Sequence, residues 1–312
     1  MAIAHNAPHY HLDKPSWRTT PEGDPRGYIQ PHTLSELWFH TGTACNLSCP
    51  FCLEGSKPGD NRLQQITLGE AQPFIDAALD LGVEQFSFTG GEPFINKDIF
   101  DILAYALERR PSLVLTNGTK PLRTRMDRVR ALQAQPHPLY FRVSIDWPDP
   151  ARHDAGRGEG NFRLAMETLG ALHREGFRVS IARQMEQGED AAAVNAAYGP
   201  HLDAVGVPRD IRFVAFPDFY PPGTHPPGVP HLTENCMTTY HTEATRAGFM
   251  CAYSKMVVKR EGRMRVYACT LVDDDPDYDL GGDLSEAMRY RVMLGHHRCF
   301  SCFGMGASCS ER

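Results

Sequence analysis

Short apolar segments typical of β-strands alternate with longer amphipathic segments typical of helices along most of this chain. The β-type runs fall at residues 37–40, 85–89, 113–116, 140–145, 177–182 and 211–215. Parallel strands need a long crossover connection, and an intervening helix is the usual one. The alternation therefore predicts a parallel α/β fold with six strands, and the carboxyl ends of those strands are the expected place for function.

The connecting segments carry helix signals of their own. Thr67 and Glu70 have the spacing of a capping box, and the apolar residues that follow share one helical face. Further helices are expected over residues 98–109, 121–133 and 162–175, the second of them with a proline in its first turn. These helices are expected to cover the sheet.

Charge and hydropathy exclude several classes of protein. The formal net charge is −6, without a long run of either sign, so no nucleic-acid partner is expected. No apolar run approaches the roughly 18 residues of a membrane span, and the first residues lack the pattern of a secretory signal. We therefore expect a soluble cytoplasmic protein without a membrane partner.

A dense run of prolines marks a boundary late in the chain. Six prolines lie between Pro217 and Pro230, a density that stops regular structure. We expect an extension over residues 1–34, an α/β unit over 35–231 and a small unit over 232–312. The small unit contains a predicted hairpin around Glu261-Gly262 and a predicted helix near residues 284–294. It is too short for an ample core, so cysteine-bound metal is expected to stabilise it.

The nine cysteines are grouped. Cys45, Cys49 and Cys52 stand together, residues 53–235 contain none, and the other six lie in the last quarter of the chain. An odd number of cysteines in a reducing compartment does not indicate a disulfide framework. The two groups instead predict two separate metal centres.

The first group has the spacing C-x3-C-x2-C on one loop, directly after the first predicted strand. A four-iron cluster normally takes four cysteines, so three leave one iron open to a substrate or cofactor. Zinc with three thiolates and a water molecule is the alternative interpretation. The open iron points to a catalytic cluster.

This loop resembles the signature of the radical S-adenosylmethionine (SAM) enzymes, C-x3-C-x-aromatic-C. Gly90-Gly91-Glu92-Pro93, after the second predicted strand, is similar to the family's GGEP motif, which holds the amino group of SAM. Glycine lets the backbone approach a ligand, and the Glu92 carboxylate can pair with an amino group. Taken alone, GGEP would equally suit a turn before a helix.

Further residues take roles that only the resemblance implies. Ser144 and Arg157 match positions that contact the ribose and carboxylate of SAM in sulfatase-maturase-type members, and Phe51 is a candidate for packing on the adenine. Phe51 would equally suit the core. Thr116-Asn117-Gly118 is similar to another family loop or is a plain turn. Candidate substrate bases, which nothing in the sequence ranks, are Asp146, Asp218 and Glu186.

The resemblance also implies a fold and a reaction. The fold is a partial six-stranded (β/α)6 TIM-like barrel, in agreement with the strand count. The open iron of a [4Fe–4S] cluster binds SAM, and an electron donor such as flavodoxin or ferredoxin reduces that cluster. Cleavage of SAM then gives a 5′-deoxyadenosyl radical, which abstracts a hydrogen atom from the substrate.

The second group supplies four thiols in the pattern Cys251-x17-Cys269-x29-Cys299-x2-Cys302. Four is a closed ligand set, and the arrangement resembles the twitch auxiliary domain, a shorter relative of the SPASM domain, which holds an auxiliary [4Fe–4S] cluster. A closed zinc site is the alternative. Met264 stands where the family usually has glycine, and Cys309 lacks the partner that a second auxiliary cluster needs. One auxiliary cluster is therefore expected.

Three functions remain open from the sequence. The chain oxidises or epimerises a small polar metabolite such as a sugar or aminocyclitol, modifies a peptide or protein side chain, or is a non-catalytic iron–sulfur or zinc protein. The 34 residues before the core are too few for a leader-binding domain, which favours a small-molecule substrate. Net oxidation, with the auxiliary cluster as electron acceptor, is the leading prediction. Epimerisation, with Cys236 as hydrogen-atom donor, is the alternative; Cys236 would equally suit an ordinary free thiol, as would Cys309.

Overall fold

The computed structural model describes residues 14–217 and 220–305, and the fold is built on ten strands within these ranges. Asp218 and Cys309 lie outside the described residues. The strands are β1 (Tyr28–Ile29), β2 (Glu36–His40), β3 (Gln85–Thr89), β4 (Ser112–Thr116), β5 (Leu139–Ser144), β6 (Arg178–Met185), β7 (Arg212–Pro217), β8 (Ser254–Arg260), β9 (Arg263–Tyr267) and β10 (Val292–Met293).

One eight-stranded sheet organises the molecule, in the order β7-β6-β5-β4-β3-β2-β8-β9. Strands β2 to β7 are parallel neighbours in chain order, which confirms the predicted parallel α/β fold in its partial-barrel form. The hairpin β8–β9 continues this sheet, because β8 pairs with β2 in parallel and β9 pairs with β8 antiparallel. The cysteine-rich segment that follows residue 231, called the late segment below, is thereby fixed beside β2, the strand that precedes the first cysteine loop.

Fourteen α-helices occur among the described residues. They are α1 (Pro15–Arg18), α2 (Leu68–Asp80), α3 (Ile99–Leu107), α4 (Lys120–Arg123), α5 (Met126–Ala131), α6 (Pro150–Arg157), α7 (Asn161–Arg174), α8 (Ala191–Ala197), α9 (Gly199–Val205), α10 (Glu234–Thr239), α11 (Glu243–Ala247), α12 (Met250–Tyr253), α13 (Leu284–Ala287) and α14 (His297–Met305). Short 3-10 turns occupy Pro93–Ile95, Leu132–Ala134 and Pro276–Tyr278.

Local sequence signals explain where α2 begins. The Glu70 carboxylate accepts the main-chain N–H of Thr67 at 2.9 Å, the reciprocal half of the predicted capping box. Ala71, Ile75 and Ala78 are buried on one face, at the spacing expected of a helix that packs on a sheet. The predictions for α3 and α7 are confirmed to within two residues at each end.

Two predicted helices are interrupted. The helix expected over residues 121–133 is divided into α4, α5 and a 3-10 turn, and at the first break Arg125 donates to the main-chain oxygen of Phe94. The helix expected over 284–294 ends at Ala287, and Val292–Met293 instead forms β10. In both places a contact distant in sequence overrides the local helical pattern.

The described part of the N-terminal extension packs on the late segment. Strand β1 pairs antiparallel with β10, with Tyr28 opposite Met293 and Ile29 opposite Val292. The Trp17 ring meets the Tyr278 ring edge-on, with 4.9 Å between centroids. These contacts join the extension and the late segment into the same apolar core. No helix in the described ranges is long and apolar enough to cross a membrane.

Candidate active site

A cavity opens at the carboxyl ends of the parallel strands, and Cys45, Cys49 and Cys52 lie in its wall. They stand on the loop that follows β2. Predicted binding residues line the same cavity: Gly90 and Gly91 after β3, Ser144 at the end of β5, Arg157 in α6, and Phe51 within the cysteine loop. The fold thus brings together residues that are up to about a hundred positions apart in sequence.

The cysteine loop is tied to the loop that follows β4. The side-chain amide of Asn117 donates to Asn46 Oδ1 at 3.0 Å and lies 3.8 Å from Cys45 Sγ, while Asn46 Nδ2 donates to Thr119 Oγ1 at 2.9 Å. The Thr116-Asn117-Gly118 segment is therefore part of the site wall. Burial raises the pKa of the Cys45 thiol to about 11 and raises the pKa of Cys49 and Cys52. A bound metal is what would hold all three as thiolates at neutral pH.

Gly90 and Gly91 let the end of β3 approach the backbone of the cysteine loop. Gly91 N–H donates to the main-chain oxygen of Gly42 at 2.9 Å. A Cβ on Gly91 would lie 2.3 Å from the main-chain oxygen of Ala44, and Gly90 has φ +133°. The sequence interpretation assigned these glycines to the approach of a ligand; the structure shows that they first permit two protein loops to touch.

The Glu92 carboxylate lies directly behind this wall. It accepts Thr116 Oγ1–H at 2.9 Å, Asn117 N–H at 2.9 Å and Phe94 N–H at 3.1 Å. The side chain is buried, and burial raises the pKa of Glu92 to about 7. Pro93 is also buried and starts the 3-10 turn Pro93–Ile95. Glu92 therefore fixes Thr116 and Asn117, which themselves face the cavity.

Arg157 reaches the cavity from the last turn of α6. Its Nη2 donates to Asp146 Oδ1 at 3.1 Å, and its Nε donates to Asp146 Oδ2. Its guanidinium carbon lies 5.7 Å from the centroid of the Phe51 ring. Gly156 makes room for that ring, because a Cβ there would lie 2.3 Å from Phe51 Cε1. Asp146, a candidate base in the sequence, is thus the ion-pair partner of Arg157.

Two other sequence candidates lie away from the cavity within the described part of the chain. Glu186 pairs with Arg152, and the side chains of both are about half exposed. Cys236, on α10, has its Sγ 3.3 Å from Thr233 Oγ1, the residue that caps that helix. Cys236 is absent from the lining of both cysteine-lined cavities.

The four late cysteines line a second, apolar cavity. Cys251 comes from α12 and Cys269 from the segment after β9. Cys299 and Cys302 lie three residues apart on α14. Burial raises the pKa of Cys251, Cys269 and Cys299, that of Cys299 to about 12. Four convergent thiols in an apolar pocket fit a closed, four-thiolate metal centre.

The two cavities adjoin at Leu271, which lines both. Arg298 reinforces the same junction: its Nη1 donates to Leu271 O at 2.9 Å and its Nη2 donates to Leu53 O at 3.1 Å. Leu53 follows Cys52 and Arg298 precedes Cys299. The first cysteine loop is therefore in direct contact with α14, which carries Cys299 and Cys302. The sequence pattern gave no means to predict this contact.

A third cluster of possible metal ligands is buried at this junction. Potential ligand atoms of His40, Glu54 and Asp273 lie within 4.8 Å of one another. However, His40 Nδ1 accepts Gly42 N–H at 3.2 Å, and burial lowers the pKa of the ring. In the neutral ring Nε2 then keeps its proton and donates to Glu54 Oε2 at 3.2 Å. A metal-bound histidine normally uses its second nitrogen as a donor, so this cluster is a hydrogen-bonded contact and not a metal site.

Comparisons with known proteins agree with this geometry. Residues 39–185 match the model of the Radical SAM superfamily. The chain is 31% identical over 170 residues to the AdoMet-dependent heme synthase of Nitratidesulfovibrio vulgaris, an alignment that covers 53% of this chain and 42% of the relative. It is 30% identical over 166 residues to the mycofactocin maturase MftC of Mycolicibacterium smegmatis, covering 51% and 41%. Each alignment thus spans less than half of the relative.

A solved structure extends the likeness in fold. Streptococcus suis SuiB bound to S-adenosylmethionine superposes with a TM-score of 0.59 and 12% sequence identity, over 83% of this chain and 66% of that one. At this level of sequence identity the likeness is one of fold alone.

Proposed function

The match over residues 39–185 supports the radical SAM superfamily, and from this premise we propose that the chain cleaves SAM and oxidises a small polar metabolite. In this proposal Cys45, Cys49 and Cys52 hold a [4Fe–4S] cluster with one open iron, and the four late cysteines hold an auxiliary cluster. Bound there, the first cluster and SAM supply a 5′-deoxyadenosyl radical that removes a hydrogen atom from substrate carbon.

The residues of the first cavity have separate tasks in this proposal. Gly90 and Gly91 shape the cavity wall. Glu92 fixes Thr116 and Asn117, which would bind the amino group of SAM, and Arg157 would supply a cation for the SAM carboxylate. Phe51, held against Gly156, offers an apolar face for the adenine. Ser144, at the end of β5, is the candidate partner of the ribose.

The shared wall at Leu271 is the observation that carries the proposed oxidation. After hydrogen abstraction, a two-electron oxidation requires the substrate radical to lose one more electron and one proton. In this proposal a redox centre in the adjoining cavity accepts that electron. The proton leaves to a base or to water, and the net product is two hydrogens lighter than the substrate.

The contribution of the late segment to the wall of the first cavity supports the proposal of a small substrate. Thr270 and Leu271 line the first cavity together with Leu53, so part of the auxiliary segment forms its wall. Arg298 fixes that wall through main-chain oxygens on both sides. A cavity walled in this way suits a compact molecule and excludes water from a radical.

Peptide modification is the second candidate, because the relative MftC is named as a maturase. The two candidates differ in what stimulates SAM cleavage by the reduced protein. The leading proposal expects sugars or aminocyclitols to increase the yield of 5′-deoxyadenosine, with a product two mass units lighter. A response to peptides alone would replace it with the maturase function.

Isotope labelling separates oxidation from epimerisation once a substrate is in hand. We expect a reaction in deuterated water to give an oxidised product without deuterium at the attacked carbon, read by mass spectrometry. Cys236→Ala should leave the product yield within about twofold, because Cys236 lines neither cavity. A product of unchanged oxidation state that carries one deuterium, and is lost in Cys236→Ala, would favour the epimerase.

The pH dependence of SAM binding tests the role of Glu92. With its pKa raised to about 7 by burial, Glu92 is largely protonated below that pH, and its protonated oxygen becomes a hydrogen-bond donor and a weaker acceptor. If SAM binds the ionised form, its affinity should rise about tenfold between about pH 6 and about pH 8. Anaerobic equilibrium dialysis with the oxidised clusters measures this directly.

Glu92→Gln provides the control for that measurement. It keeps the shape of the side chain and leaves every cysteine in place, so the iron content should not change. Any pH dependence of SAM affinity that remains in the Glu92→Gln variant is assigned to the amino group of SAM itself. Identical pH profiles for the variant and the parent protein would contradict the assigned role of Glu92.

A further inference from the structure

A buried lysine stands beside the cavity of the four late cysteines. Lys255, on β8, is fully buried, and its ammonium donates to the main-chain oxygens of Cys251 and Ser254, both at 2.9 Å. Within the described ranges it forms no ion pair with a carboxylate. A buried ammonium is costly unless negative charge compensates it, so the position of Lys255 needs an explanation.

The position of the ammonium points to the four-cysteine site as the source of that compensation. Lys255 contacts the main-chain oxygen of Cys251, and Cys251 lines the second cavity. Lys259, four residues further along the same strand, instead makes an ordinary ion pair with Glu70 at 2.6 Å.

We propose that Lys255 is the buried counter-charge of the auxiliary cluster and that its positive charge raises the reduction potential of that cluster. The inference rests on the auxiliary cluster of the proposed function. Four thiolates give such a centre a net negative charge, and one-electron reduction makes it more negative. A fixed cation in a medium of low dielectric constant stabilises the reduced form more than the oxidised form. Lys255 would thereby make the cluster a better acceptor for the electron of the substrate radical.

Hydrogen bonding alone is the competing explanation, since Lys255 also holds two main-chain oxygens at the end of α12. Two substitutions separate charge from hydrogen bonding. Lys255→Gln keeps N–H donors and removes the charge, whereas Lys255→Met removes both while filling a similar volume. Lys259→Met is the matched control, because it makes the same change at a partly exposed position of β8.

The experiment is a redox titration followed by electron paramagnetic resonance, in protein whose Cys45, Cys49 and Cys52 are alanine, so that only the auxiliary site is observed. We expect both Lys255 variants to shift the potential to lower values and Lys259→Met to leave it unchanged. Equal potentials in all four proteins would overturn the inference, as would a shift in Lys255→Met that Lys255→Gln does not share.

Failure of the proposed function would look different. In that case the background protein would retain no iron, or would bind zinc, before any lysine is changed. If Lys255→Met assembles no cluster, the potential of Lys255→Gln decides the question.

Discussion

Replacing Cys45, Cys49 and Cys52 together by alanine is expected to abolish SAM cleavage and to remove about half of the bound iron. The anaerobically reconstituted parent protein should hold about eight irons, from two four-iron clusters, and the variant about four. All three thiols line one cavity, and no other described cysteine shares it. Iron analysis and chromatography of 5′-deoxyadenosine measure the two effects.

Cys236→Ala is the control for this loss of iron. It removes a thiol that lines neither cavity, so the protein should retain about eight irons. Continued production of 5′-deoxyadenosine by the triple variant would mean that the first cavity is not the site of SAM cleavage.

Removing two auxiliary ligands should have a different effect. In a Cys269→Ala, Cys302→Ala double variant we expect the loss of about four irons and of oxidised product, with SAM cleavage retained. Both cysteines line the second cavity and neither lines the first. The substrate radical would still form but would lack its electron acceptor.

The ratio of 5′-deoxyadenosine to oxidised product measures this uncoupling. In the parent protein the two should form in equal amounts, and in the double variant only 5′-deoxyadenosine should accumulate. Full product formation without the auxiliary irons would show that the four-cysteine site has no part in electron transfer and serves stability alone.

Features encoded by local pattern were predictable from the sequence. The six parallel strands follow from apolar runs separated by helical segments, and the capping box at Thr67 and Glu70 placed α2. The first cysteine loop and the GGEP segment follow successive parallel strands, and strands of that kind end at one edge of a sheet. Their meeting in one cavity was therefore expected.

Features that depend on contacts distant in sequence were not predictable. Nothing local in Val292–Met293 indicates that it pairs with Tyr28–Ile29 instead of continuing α13. The ion pair of Arg157 with Asp146 likewise appears only when β5 and α6 are in place. The same holds for Lys255, which β8 buries without a carboxylate partner among the described residues. A sequence shows which residues are ionisable, but it does not show which of them folding removes from water.

The junction between the two cysteine groups gives the clearest example. The sequence separates Cys52 from Cys299 by most of the chain, and the pattern predicted two separate metal centres without indicating that they touch. In the fold, Arg298 joins Leu53 to Leu271, and His40 on β2 meets Glu54 and Asp273. These contacts bring the two cysteine sites together, which is what the proposed transfer of an electron from the first cavity to the second requires.

The central claim is that the first cavity cleaves SAM reductively, and one measurement tests it most directly. The reconstituted protein, with about eight irons, is reduced anaerobically and incubated with SAM, and the nucleoside products are analysed. We predict that 5′-deoxyadenosine and methionine form in equal amounts. A fully loaded and reduced protein that returns SAM unchanged, both alone and with candidate sugars, aminocyclitols and peptides, would contradict it.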